Sequence, residues 1–286
     1  MRFGDGVAAW FDELPDLLGT LAERWRIELG SPIPRGSVSV VVRCRLEDGR
    51  RGVLKISPDR PRIAGEGAAL ESWTTPHTPS VLALDERLGA LLIEAIEPGT
   101  PLVELATYPS LGSVADLLIC LHTNGVPDAS YPPLAQRVAY LFESSTKLYE
   151  GHSELAERVP PELYDRGRRL ALRLAADASP SVLLHGDLTP SNILDGGEQR
   201  GLVAVDPAPC LGDAAFDAID LVLWQAEDVE TIEARSDELA AATGAHPERL
   251  LAWCTAFAGM TALELAASPD APTKQVDAAA ALALGV

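Results

Sequence analysis

At Glu97-Pro98-Gly99 the hydrophobic period of the chain changes, and this change limits the folds open to it. Upstream, the β-branched runs Val38-Ser39-Val40-Val41-Val42-Arg43-Cys44-Arg45 and Gly52-Val53-Leu54-Lys55-Ile56 flank Glu47-Asp48-Gly49-Arg50, a hairpin signal that predicts an antiparallel pair. A short helical stretch over 66–73 follows, then apolar runs at 80–84 and 89–93. Ahead of the hairpin, Val7, Trp10, Phe11, Leu14, Leu17, Leu18, Leu21 and Trp25 recur at helical spacing, which predicts a helical arm over 7–28 that Pro15 kinks or divides. Downstream, helical patterns run over about 111–123, 134–150, 161–177, 214–226 and 247–267. Among them lie the short strands Val182-Leu183-Leu184, Asn192-Ile193-Leu194 and Leu202-Val203-Ala204-Val205. The expected class is α+β with two lobes: an antiparallel-sheet lobe with its arm over 1–97 and a larger, mainly helical lobe over 98–286. A cleft where two such lobes meet is the usual place for a ligand.

Composition excludes several functions. Hydrophobic residues make up 47% of the 286, yet no apolar run reaches the roughly 18 residues of a spanning helix, so no membrane role is expected. The N-terminus carries no basic segment followed by an apolar one, which reads as cytoplasmic. Cys44, Cys120, Cys210 and Cys254 are far apart and have no zinc spacing, so they are expected in the core. With 42 acidic against 23 basic residues, the formal charge of −19 disfavours nucleic acid and would steer a cation toward the surface.

The chemistry concentrates in Leu184-His185-Gly186-Asp187-Leu188-Thr189-Pro190-Ser191-Asn192-Ile193-Leu194, followed by Val205-Asp206-Pro207. The spacing His-x-Asp-x4-Asn with a later Asp at a strand end is that of a phosphotransferase catalytic loop. An Asp in that loop can accept the proton of an attacking hydroxyl, and an Asn five residues on turns back toward a metal that the second Asp binds from the other side. Asp187 is therefore the candidate catalytic base, with Asn192 and Asp206 as candidate Mg ligands. His185 is expected to hold the loop, because phosphoryl transfer needs positioning more than a strong acid or base.

Lys55 is one of only three lysines in the chain and sits inside an apolar strand ahead of the helix that carries Glu66. A Lys held there by a carboxylate can bind the α- and β-phosphates of ATP, with Glu66 as the expected partner and Glu71 as the alternative. Ser37, with Gly36, is the candidate for a phosphate-covering turn, although no G-x-G-x-x-G loop is present. The run Leu91 to Gly99 fits a strand that becomes a linker, which would offer the Glu94 carbonyl and the Ile96 N–H to adenine.

These blocks, together with Gly212-Asp213-Ala214-Ala215-Phe216-Asp217, resemble the aminoglycoside phosphotransferase family, whose fold is protein-kinase-like. Trp10, Leu14-Pro15, Arg24-Trp25, Ser37-Val38-Ser39-Val40-Val41 and Leu54-Lys55-Ile56 are similar to the streptomycin 6-kinase and hydroxyurea phosphotransferase branch. The resemblance implies a monomeric enzyme that uses ATP and Mg to phosphorylate a hydroxyl of a small molecule, an antibiotic in that branch, and so confers resistance. It departs from the branch at Ala208, where an acidic residue is common. Asp213 and Asp217 are expected to support the loop. A metabolic kinase for a sugar, amino alcohol or homoserine-like acceptor would share every residue named, and a silent kinase-like binding module would share the fold alone. For the acceptor, Trp224, Trp253 and Glu264 are candidate pocket residues, but aromatic and acidic positions at helical spacing are more often core and solvated face, so no acceptor residue is assigned.

Overall fold

The structure is a computed structural model that describes residues 6–34, 39–105, 107–151, 154–177, 181–268, 270 and 272–285. Its first part runs α1 (Gly6–Trp25), β1 (Ile27–Ile33), β2 (Val40–Leu46), β3 (Arg51–Ile56), α2 (Arg60–Ser72), β4 (Val81–Asp85) and β5 (Ala90–Glu94). The five strands form one antiparallel sheet in the order β1-β2-β3-β5-β4. The expected hairpin is β2–β3, with Gly49 at φ 86° in its turn, a backbone region that glycine enters without a Cβ penalty. Both faces of the sheet are covered. Leu21 and its neighbours on α1 pack with Ile27, Cys44, Leu54, Ile56, Ala90 and Leu92 on one face. Ile63, Leu70 and Trp73 pack with Leu91 and Ile93 on the other. A strand buried on both sides reads as a continuous apolar run, as β5 does.

The second part opens with α3 (Leu111–Asn124), α4 (Leu134–Thr146), α5 (Leu148–Gly151), α6 (Leu155–Arg158) and α7 (Pro161–Ala176). Then come β6 (Val182–Leu184), β7 (Ile193–Asp195), α8 (Gly197–Arg200), β8 (Leu202–Ala204), β9 (Cys210–Gly212), α9 (Ile219–Leu223), α10 (Val229–Thr243), α11 (Pro247–Ala266) and α12 (Thr273–Leu284). The antiparallel pair β6–β9 encloses the hairpin β7–β8 in sequence, and the segment 185–192 connects the two. Beneath it Phe142, Tyr164, Phe216, Trp253 and Phe257 meet edge to face or tilted, a geometry that aromatic quadrupoles favour.

Four expectations need correction. The arm ends at Trp25, and Ile27–Ile33 is an edge strand, its register broken between Leu29 and Pro32 where Pro can sit without a ladder bond to donate. Pro15 lies inside one uninterrupted helix. Helices α10 and α12 were not expected, the first because it is largely polar and the second because its Ala-rich sequence carries little periodic contrast. The pattern over 214–226 resolves into a 3₁₀ turn, Ala214–Ala218, and the short α9. The cysteines are free, with Cys44, Cys210 and Cys254 buried. Among the described residues no helix is long and apolar enough to cross a membrane.

The two parts are clasped behind the linker strand. Arg200 donates from Nε to Pro76 O and from Nη2 to Thr78 O, each at 2.8 Å, and pairs with the Glu94 carboxylate. The Ala204 N–H reaches His77 O at 2.8 Å. On the opposite side of the loop β9 lies against the start of α4 so closely that a Cβ on Gly212 would stand 2.5 Å from the Leu134 Cβ. Gly212→Ala should therefore lower the unfolding free energy by about 1–3 kcal/mol through overpacking. Denaturant unfolding checks this; a wild-type midpoint would show that α4 yields freely.

Candidate active site

Alternation along β3 turns Lys55 toward α2, and the helical period decides between the two candidate glutamates. Glu66 falls on the face of Ile63 and Leu70 and is buried, whereas Glu71 is rotated off it and exposed. Lys55 Nζ donates to Glu66 Oε2 at 2.6 Å and also bonds Asp206 Oδ1 from the helical part. Burial would pull the ammonium down, but the two carboxylates outweigh it and hold the Lys55 pKa above its usual range. Asp206 is held below the usual carboxylate range: burial raises it, and the charge and hydrogen bond of Lys55, with Arg62, more than offset that. Its backbone has φ 60°, a left-handed conformation that Asp tolerates better than most residues and that marks a functional turn.

The loop from β6 is fixed by buried polar groups. Asp217 accepts from the His185 N–H at 2.8 Å and the Gly186 N–H at 2.9 Å, and lies 3.0 Å from His122 Nε2. Burial would raise Asp217, but these donors hold its pKa low, so it stays an ionised acceptor. Gly186 has φ 73°, and a Cβ there would come within 2.1 Å of Ala208 O. Only glycine fits. His185 is fully buried, which lowers its pKa and keeps it neutral. Its Nε2 lies 3.1 Å from Val205 O, an acceptor only, so Nε2 carries the proton and Nδ1 accepts the Asp187 N–H at 3.3 Å. The ring thus ties the backbone at Asp187 to the residue before Asp206. Asp213 caps the turn at Ala215 and accepts from Trp253 Nε1 at 2.7 Å and from Arg249. Asp213 and Asp217 are supports, as expected, and Trp253 is core.

Asp187, Asn192, Asp206, Lys55 and Glu66 are thereby brought to one junction of the two parts. Asn192 Nδ2 donates to Asp187 O at 2.9 Å and lies 3.3 Å from Asp187 Oδ2, which turns its amide oxygen the other way. Glu94 spends its N–H on Ser80 O at 3.0 Å, while among the described residues no hydrogen bond engages the Ile96 N–H. Ser37 lies outside the described residues.

Arg137 carries no motif signal in the sequence and was not expected at the site. From α4 it donates through Nε to Gly186 O at 2.7 Å and through Nη2 to Asp187 Oδ1 at 2.8 Å. Arg137 thus occupies Oδ1, while Oδ2 accepts only the longer bond from Asn192 Nδ2. The field of Asp187 also reaches two further carboxyls, Asp220 and Glu264. Burial, with the charges of Glu264 and Asp187, pushes Asp220 up to about 7. Glu264 is raised by burial and by the charge of Asp187. Arg137→Ala should lower kcat about tenfold or more with a smaller change in nucleotide KM, because a charged hydrogen bond of about 1.5–3 kcal/mol to Asp187 is lost. Arg137→Lys should recover part of that loss. Steady-state kinetics check this, and an unchanged kcat in folded Arg137→Ala would contradict it.

The profile of the aminoglycoside/hydroxyurea antibiotic resistance kinases matches residues 24–268. The chain is 30% identical to a hydroxyurea phosphotransferase of Kitasatospora aureofaciens, over 88% of this chain and 74% of that protein. It is 28% identical to a streptomycin 6-kinase of Streptomyces griseus, over 82% of this chain and 74% of that protein. In three dimensions it resembles a choline kinase of Streptococcus pneumoniae with a TM-score of 0.63 at 14% identity, over 96% of this chain and 100% of the other. The fold is protein-kinase-like, and the chain belongs to the aminoglycoside/hydroxyurea antibiotic resistance kinase family, a family of small-molecule O-phosphotransferases.

Proposed function

We propose that this protein transfers the terminal phosphoryl group of ATP, with Mg²⁺, to a hydroxyl of a cationic antibiotic of the streptomycin type, inactivating it in the cytoplasm. The observation that carries the reading is the convergence of Lys55, Asp206, Asn192 and Asp187 where the sheet part meets the helical part. Residues 1–97 would form the arm and nucleotide lobe, and 98–286 the catalytic and acceptor lobe. The enzyme would act as a monomer.

The donor set fits Mg²⁺. Asp206 offers a carboxylate, and Asn192, its amide nitrogen committed to Asp187 O, offers an amide oxygen; Mg²⁺ takes hard oxygens and lets phosphates and water complete its shell. Bound there, it would neutralise charge on the phosphate oxygens. Lys55, held by Glu66, would take the α- and β-phosphates, with Ser37 over them and the Glu94 carbonyl and Ile96 N–H on adenine. Asp187 Oδ2 would accept the proton of the acceptor hydroxyl as its oxygen bonds to the γ-phosphorus. The bond from that phosphorus to the β-γ bridging oxygen breaks, and ADP leaves.

For the acceptor, the support is charge. The chain carries −19 overall, so a cation would be drawn toward its surface. Phosphate transfer from γ-labelled ATP to streptomycin, hydroxyurea, peptide and nucleoside antibiotics and common metabolic alcohols, at low and high salt, tests the reading. A cationic antibiotic should be the best acceptor, with kcat/KM falling as salt rises. Asp187→Asn should lower turnover by roughly 100-fold or more while nucleotide affinity stays near wild type, since a general base contributes that much. Turnover confined to a metabolic alcohol would overturn the antibiotic assignment and leave the phosphotransferase standing.

A further inference from the structure

Arg62 sits on α2 one turn before Glu66, so the two side chains share a helix face and Arg62 stands beside the Lys55–Glu66 pair. Its backbone N–H is satisfied by the Asp59 cap at 3.2 Å. Its guanidinium is not satisfied. The nearest carboxylate oxygen is Asp206 Oδ1, the atom Lys55 already bonds, and Nη2 lies 3.7 Å from it, too far for a hydrogen bond. Nε is buried without any partner, and among the described residues no hydrogen bond is made by the side chain. A buried donor left without an acceptor is unfavourable, and a guanidinium is built to grip a planar or tetrahedral oxyanion through two parallel N–H groups. Here a partly buried fork beside Lys55 and Asp206 has that capacity unused.

Charge count indicates what would use it. Lys55 and Arg62 are balanced by Glu66 and Asp206. A metal on Asp206 would engage that carboxylate and leave two cations against Glu66 alone, which requires a new anion within reach of both. We propose that Arg62 is a further phosphate ligand, binding the β- or γ-phosphate of the donor nucleotide beside Lys55. This inference rests on the nucleotide-binding reading above.

Calorimetric titration of the full-length protein with ADP and with AMP, each with Mg²⁺ and with a chelator, tests it. Arg62→Gln should weaken ADP binding roughly tenfold or more in both conditions, the fold-change a charged hydrogen bond carries. AMP, which lacks the β-phosphate, should change less than about twofold on the same scale. Arg62→Lys, which keeps the charge and loses the fork, should fall between. Wild-type ADP affinity in Arg62→Gln, or tighter binding at lower Mg²⁺, would overturn the proposal and make Arg62 a counter-charge for Asp206 only. A wild-type protein that binds neither nucleotide would overturn the nucleotide reading itself, and this inference with it.

Discussion

The rest of the structure depends on the buried ammonium of Lys55. A charge that far from water is tolerated only when fully paired, and removing one partner from such a pair costs about 3–5 kcal/mol. Glu66 and Asp206 supply the pairing from two different parts of the chain. Strand alternation in β3 decides that Lys55 points toward α2, and the α2 period decides that Glu66 meets it. The left-handed turn at Asp206 then brings the helical part up to the same atom. One electrostatic requirement thus fixes the sheet, the helix and the catalytic segment relative to one another.

The catalytic loop is held by a second, independent requirement. Backbone N–H groups at His185 and Gly186 are buried and must be bonded, and a single ionised carboxylate, Asp217, takes both. Neutral His185 then carries the constraint across to Val205 O. Asp187 and Asp206 are therefore positioned by groups that never touch a substrate, and Arg137 adds the last constraint by occupying one oxygen of Asp187. Preorganisation of this kind suits phosphoryl transfer, where positioning and charge supply most of the catalysis.

How much of this was legible depended on whether the information was local. The β2–β3 hairpin, the helical patterns other than 214–226 and the His-Gly-Asp-x4-Asn spacing are short-range signals, and the structure bears out the α+β fold they implied. Glu66 was expected as the partner with Glu71 as the alternative, and the structure decides for Glu66, which shares a helix face with Ile63 and Leu70. Strand β1 was hidden by Gly30-Ser31-Pro32, residues an edge strand tolerates at a bulge but that carry no strand pattern. Helix α12 was hidden because alanines lack the contrast between faces. Arg62, Arg137 and Asp220 were hidden for a different reason: each gains meaning from a neighbour distant in sequence, and each alone looks like an ordinary helix-face charge.

As proposed, Asp206, held by Lys55 in this structure, would become a metal ligand when nucleotide binds. Water-proton relaxation enhancement with Mn²⁺ in place of Mg²⁺, in the presence of ADP, measures that event directly. Wild type should show a strong enhancement from protein-bound metal that Asp206→Asn largely loses while the variant remains folded. Equal enhancement in the two proteins would contradict the account.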